Sequence, residues 1–181
     1  MARLTQRFGL SRYEADEHYQ LALEAYKKGR FDVAINHMDD AIAALPTRSE
    51  YYATRGFFYA EDDVNDKAQA DFQKALKLHP YEMLAHYGRG MIAFKDKNWD
   101  EALAHFTDAY HSDMNRPETM YYLALVHHRK GNNPTALQFM QNALGIFEAA
   151  NDRRKADAAR WVKEFQKVIE SKPQVRLNPP G

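Results

Sequence analysis

The chain has 181 residues, no cysteine, and 25 basic side chains against 25 acidic ones. A hydrophobic share of 45%, with 13% aromatic, suffices for a packed core and excludes a disordered chain. The missing cysteine excludes disulfides, thiol nucleophiles and cysteine-ligated metals, and the balanced charge leaves no global field to draw the molecule onto nucleic acid or an anionic membrane.

Charge is nonetheless uneven along the chain: residues 1–14 carry +2, residues 151–181 carry +4, and the stretch between them carries −6. In the N-terminal segment, residues 1–14, Arg3 and Arg7 interrupt the few apolar residues, so the apolar run of a secretory signal is absent. Nowhere do eighteen apolar residues follow one another. The expectation is a soluble, cytoplasmic protein without membrane insertion.

From residue 15 the chain repeats itself. Ala34, Ala68, Ala102 and Ala136 are 34 residues apart, and each is followed four residues later by Met38, Phe72, Phe106 or Met140. A second alanine follows seven residues after the first, at Ala41, Ala75, Ala109 and Ala143. Upstream, Leu21-Ala22, Arg55-Gly56, Arg89-Gly90 and Leu123-Ala124 place a small residue where helices can approach closely. The units are 15–48, 49–82, 83–116 and 117–150; Pro46 and Pro80 close the first two, and Met114 and Glu148 stand where the others would have their proline.

Helix boundaries follow. Ser11 to Glu14 and Thr47 to Glu50 read as capping boxes that open helices. Asn98 reads as an N-cap, Pro117 and Pro134 suit a first helical turn, and Gly29 and Gly131 stop the first helix of their units. Beyond the repeats, the segment 151–172 holds a ninth helix, with Ala158, Trp161, Val162, Phe165, Val168 and Ile169 on one side and Arg153, Arg160, Lys163 and Lys167 on the other. A repeat array needs such a terminal element with one wet face, so this helix is expected to cap the last unit. Residues 173–181, ending Asn178-Pro179-Pro180-Gly181, are expected to be a flexible tail.

The 34-residue period, with a Leu-small pair, then Ala, then Phe, then Pro, resembles the tetratricopeptide repeat family. The pattern departs from the family where His18 and His86 stand for Trp, where Arg55 and Arg89 replace Leu, and where Ala25, Ala93 and His127 replace a Tyr that Tyr59 keeps. These departures suggest units packed more loosely than an idealised repeat. The resemblance implies an all-α fold, a right-handed superhelical solenoid of four helix pairs plus the C-terminal capping helix. It also implies that the first helix of each pair lines a concave groove. The groove positions fall on Tyr19, Leu23 and Tyr26, on Ala53 and Phe57, on Tyr87, Met91 and Phe94, and on Tyr121, Leu125 and His128, with Tyr122 beside them.

Some members of that family grip a peptide's terminal carboxylate with Lys, Asn and Arg. Here the corresponding places hold Tyr19, Leu23, Thr54, Leu84 and Gly88, or one unit later Ala53, Phe57, Gly88, Glu118 and Tyr122, so the clamp is missing.

Catalytic and metal chemistry find little support. His127 and His128 diverge by about 100° on one helix, and His105 and His111 lie on nearly opposite faces, so neither pair holds a small ion. Structural or solvent-exposed roles are expected for the histidines, and solvated charge for Asp39-Asp40 and Asp62-Asp63. Gly88-Arg89-Gly90 lacks the rest of a phosphate-binding fingerprint and reads as a helix contact. The reading is therefore a non-enzymatic scaffold without metal or cofactor that binds a partly apolar peptide or protein segment, with no nucleic acid as partner, as a monomer or weak homo-oligomer. Its alternative is a self-assembling scaffold in which the C-terminal helix or tail occupies a neighbouring copy's groove.

Overall fold

Alanines at the paired positions leave room for two helix backbones to approach, and a ring or thioether four residues on fills the space between them. The structure, a computed structural model describing residues 2–171, shows this outcome. Ala34, Ala68, Ala102 and Ala136, the second alanine series, and Met38, Phe72, Phe106 and Met140 are all fully buried. The described residues form nine helices and no strand: α1 (Ala2–Lys27), α2 (Phe31–Ala44), α3 (Ser49–Glu61), α4 (Asn65–Leu78), α5 (Met83–Lys95), α6 (Trp99–Ser112), α7 (Pro117–Arg129), α8 (Asn133–Ala149) and α9 (Lys155–Ser171). They divide into two compact units, Met1–Asp113 and Met114–Gly181.

In the first unit, α1 packs on α2, α3 on α4 and α5 on α6, and the pairs are joined by α2 against α3, α4 against α5, and α3 against α5. Phe72 is the wedge between pairs. A Cβ added at Gly56 would lie 2.8 Å from its ring, and one added at Gly88 would overlap it. A Cβ at Gly90 would stand 2.8 Å from Phe106. The Gly88-Arg89-Gly90 stretch is thus a close helix contact, as expected.

Each first helix ends in one device. Gly29, Asp63, Lys97 and Gly131, spaced by one period, all have positive φ, between 57° and 80°. The next amide then bonds back across the turn, from Arg30 to Ala25, Val64 to Tyr59, Asn98 to Ala93 and Asn132 to His127, at 2.8–3.0 Å. Glycine adopts this conformation freely, whereas Asp63 and Lys97 do so against a steric cost.

One expected helix start is not used, and a second is used without its capping box. Ser11 lies inside α1, which runs unbroken from Ala2, so residues 2–14 belong to the same helix as the first repeat. At the second, Arg48 is the N-cap without a side-chain capping bond. Its guanidinium donates to Glu50 at 3.1 Å, so the carboxylate half of the box has another partner, and the neighbouring Ser49 Oγ donates to Glu82 at 2.7 Å. Asn98 does cap α6, accepting from the Glu101 amide, and Pro117 and Pro134 sit in first turns.

The units are not loosely packed where Arg55 replaces Leu. Arg55 donates twice to Asp71 at 2.7 Å and once to Asp39 at 2.5 Å, tying α3 to α4 and α2. Asp71 is only 6% exposed, and the two carboxylates hold the guanidinium pKa above its ordinary range. Asp39 is therefore a bridge anchor rather than a solvated charge.

In the second unit α7 packs on α8, and α8 on α9. Phe165 and Ala158 of α9 are fully buried, Trp161, Val162, Val168 and Ile169 are half-buried, and Arg160, Lys163 and Lys167 are exposed, as the amphipathic pattern requires. The expected tail, residues 173–181, lies outside the described residues.

Candidate functional site

The groove positions recur every 34 residues on the first helices, and the structure shows what covers each. Tyr19 lies with its ring centroid 5.3 Å from that of buried Tyr51, on the next first helix. Tyr26 stacks on Phe58 at 4.9 Å and meets Phe57 and Phe31 edge-on at 5.9 and 5.8 Å. Tyr19, Leu23, Tyr26 and Phe57 all pack against the first hydrophobic cluster while remaining partly exposed. These rings are packing residues between successive first helices, and each keeps part of its surface in water. Burial raises the pKa of both Tyr19 and Tyr26, so both hydroxyls stay protonated at neutral pH.

Tyr51, which sequence reasoning passed over, holds this face together. Its hydroxyl donates to Asp16 at 2.8 Å, linking α3 to α1, and burial followed by the Asp16 bond pushes its pKa up to about 12. Arg48 lies 5.4 Å over its ring.

In the third repeat the same register is less open. Tyr87 is 6% exposed with its ring edge-on to Phe106 at 5.8 Å, so it belongs to the core and not to a docking surface. Met91 and Phe94 stay half-buried, with Phe94 edge-on to Trp99 at 5.4 Å.

In the second unit, α9 takes up two of the four positions. The Tyr121 hydroxyl donates to Asp157 at 2.5 Å and accepts from Trp161 Nε1 at 3.1 Å. Burial and the Asp157 bond raise its pKa well above the ordinary phenol value. His128 packs on Phe165 and Trp161 at 4.9 and 6.0 Å and donates from Nδ1 to Asn133 at 2.6 Å. Tyr122 and Leu125 are half-buried, with Tyr122 edge-on to Tyr121 at 5.6 Å.

Four histidines of the first unit pair across helices. His105 is half-buried and faces His86, while His18 faces His37 in the same manner. Ligand geometry arises between the two helices of one repeat, where a search along single helices cannot see it. The signal was nevertheless in the register: His18, His37 and Asp40 recur two periods later as His86, His105 and Asp108.

Among the described residues no helix is long and apolar enough to cross a membrane. The tetratricopeptide repeat profile matches residues 57–117. Tetratricopeptide repeat protein 6 of Homo sapiens is 28% identical over 144 residues, covering 78% of this chain and 28% of the relative. The chain spans between 18% and 28% of the length of the curated relatives it matches. Among solved structures, Pseudomonas aeruginosa pilF superposes with a TM-score of 0.75 at 17% identity, over 88% of this chain and 71% of its own. The first repeat domain of Spaghetti (RPAP3), bound to the HSP90 peptide SRMEEVD, superposes at 0.60 with 19% identity, over 66% of this chain and 95% of its own. By its 34-residue register, its paired helices and these likenesses, the chain is an all-α array of helix pairs with the tetratricopeptide repeat fold, and residues 57–117 match the tetratricopeptide repeat model.

Proposed function

We propose that the chain is a non-enzymatic scaffold that docks a partly apolar protein segment on the first-helix face of its first unit. The observation that carries this reading is the state of Tyr19, Leu23, Tyr26 and Phe57, each packed against the core on one side and open on the other. Such rings are held before a partner arrives, so burying their open sides costs little side-chain entropy. The binding of a peptide by the RPAP3 domain supports a peptide-docking role for this fold. A terminal carboxylate is not the handle here, because Tyr19, Leu23, Thr54, Leu84 and Gly88 offer no cation to grip it. An affinity in the micromolar range, about −8 kcal/mol, suits a short segment that must lose its own chain entropy. The partner is protein rather than nucleic acid, the chain acts as a monomer or weak homo-oligomer, and the burial of Phe165 within its own unit supports the reading of α9 as a cap.

Site-specific photo-crosslinking tests the placement. A photoreactive residue at Leu23 captures the partner segment, while the same group at exposed Gln73 on α4 does not. Adducts forming at Gln73 alone would move the site to the second helices.

A further inference from the structure

His18 on α1 faces His37 and Asp40 on α2, and 68 residues later His86 on α5 faces His105 and Asp108 on α6. The two clusters have almost the same geometry. The Nδ1 atoms are 3.3 Å apart in the first and 3.4 Å apart in the second, and the nearest Asp40 or Asp108 oxygen lies 3.5 Å from His18 or His86 Nδ1. In each cluster the three donor atoms all lie within 4.8 Å of one another.

The protons decide what these atoms face. His86 Nε2 is 3.0 Å from the Pro80 carbonyl, which only accepts, so Nε2 carries the proton and Nδ1 of the neutral ring presents a lone pair to His105. His105 Nε2 lies 3.8 Å from a Glu101 carboxylate oxygen. With its proton on Nε2, His105 sets a second lone pair against the first. With the proton on Nδ1, it turns a lone pair toward Glu101. A cation between the two Nδ1 atoms and Asp108 satisfies the facing lone pairs, with the Pro80 carbonyl and Glu101 orienting the rings from behind, as outer partners do for metal-bound histidines.

We propose that the first and third repeats each hold one divalent transition-metal ion of the zinc type, bound by His18, His37 and Asp40 and by His86, His105 and Asp108. Bond lengths select the geometry. A tetrahedral ion with bonds of about 2.0–2.1 Å sets its donors about 3.3–3.4 Å apart, whereas an octahedral ion with the same bonds needs about 2.9–3.0 Å. The observed 3.3–3.5 Å edges fit the former. Two histidines and one aspartate leave a fourth position for water. Each ion staples the two helices of its repeat.

The other repeats have no such site. Their corresponding residues are Tyr52, Asp71 and Lys74, and Met120, Phe139 and Asn142. Tyr52 donates to the Pro46 carbonyl at 3.2 Å, so it keeps the backbone anchor of His86 without offering a ligand nitrogen. The third-repeat site is the tighter one, since the His86 side chain is 11% exposed and that of His18 is 34%.

Calorimetric titration of the full chain with zinc chloride at pH 7.5 tests the proposal, with Co²⁺ absorption reporting the geometry. Two equivalents bind, the tighter one is lost in His105→Ala and the weaker in His37→Ala, and the Co²⁺ complex shows the intense visible bands of a tetrahedral ion. Asp108→Asn, an exposed change that spares the core, weakens the tighter site roughly tenfold or more. Fewer than one bound equivalent at tens of micromolar zinc would overturn the proposal. So would two equivalents binding unchanged to Asp108→Asn and to a folded variant that combines His37→Ala with His105→Ala, because other histidines would then hold the metal.

Discussion

In the first repeat, Tyr19 and Tyr26 lie against Tyr51, Phe57 and Phe58 of the next first helix, and that contact is ring on ring. In the fourth, the same register holds Tyr121 and His128, which meet an amphipathic helix outside the repeat. There the contact mixes rings with an Asp157–Tyr121–Trp161 hydrogen-bond chain. A repeat position thus has no fixed chemistry of its own. Its neighbour decides whether an aromatic side chain serves packing alone or keeps area for a partner. Inside an array that neighbour is another repeat; at its end, a helix with one wet face must take over.

The largest expected effect falls on that terminal helix. Phe165→Ala removes a fully buried ring that packs on His128 and Trp161, and should cost about 3–5 kcal/mol in urea unfolding. Hydrogen exchange should show the loss within residues 114–171. A cost below about 1 kcal/mol would mean that α9 does not seal the fourth repeat as the inner helices seal one another.

Gly88→Ala probes the corresponding closeness in the first unit. Its methyl would overlap the Phe72 ring, which Gly56 hems in from the other side, so a loss of about 1–3 kcal/mol is expected, with partial recovery when Phe72→Leu is added. Gly145 in α8 meets nothing within 4 Å, so Gly145→Ala should instead stabilise by about 0.5–1 kcal/mol. Equal effects at the two glycines would contradict the packing described for Phe72.

Lys97→Gly should raise stability by about 1 kcal/mol, because it relieves a left-handed residue at the end of α5. Gly131→Ala, at the same place in the fourth repeat, should lower it by a similar amount. Thermal melts of the two variants shift in opposite directions.

The smallest effect concerns pH. Burial lowers the pKa of His105, helped by Arg89 and His86 and opposed by Glu101 and Asp108; burial and Lys130 lower that of His127. The unfolded chain therefore binds these protons first. The stabilisation is complete above the ordinary histidine value of 6.5 and is lost as pH falls through the lowered folded values. In metal-free buffer the melting temperature should fall between pH 7.5 and pH 5, and His127→Gln should blunt part of the fall.

The repeat itself was legible because alanine at fixed intervals has few causes other than close helix contact, and every one of those alanines is buried. The left-handed helix ends were half legible: Gly29 and Gly131 announce theirs, while Asp63 and Lys97 carry no sign of it. Groove residues were legible as a register but not in their degree of burial. Tyr87 is sealed by Phe106, which lies 19 residues away on the partner helix, and Tyr121 is engaged by Asp157 from beyond the repeats. The capping boxes failed because α1 runs on through Ser11 and because Glu50 pairs with Arg48 instead of reaching back to the helix start. The His-His-Asp clusters escaped because their ligands come from two helices.

The central claim is that a partner docks on the half-buried rings of the first unit's first helices. Calorimetric titration of the crosslinked partner segment against Leu23→Glu and Gln73→Ala, each verified as folded by circular dichroism, tests it most directly. Leu23→Glu should weaken binding at least tenfold, about 1.4 kcal/mol, by setting a charge where apolar surface is covered. Gln73→Ala, exposed on a second helix, should stay within about twofold. A folded Leu23→Glu protein that binds as tightly as the parent would contradict the account.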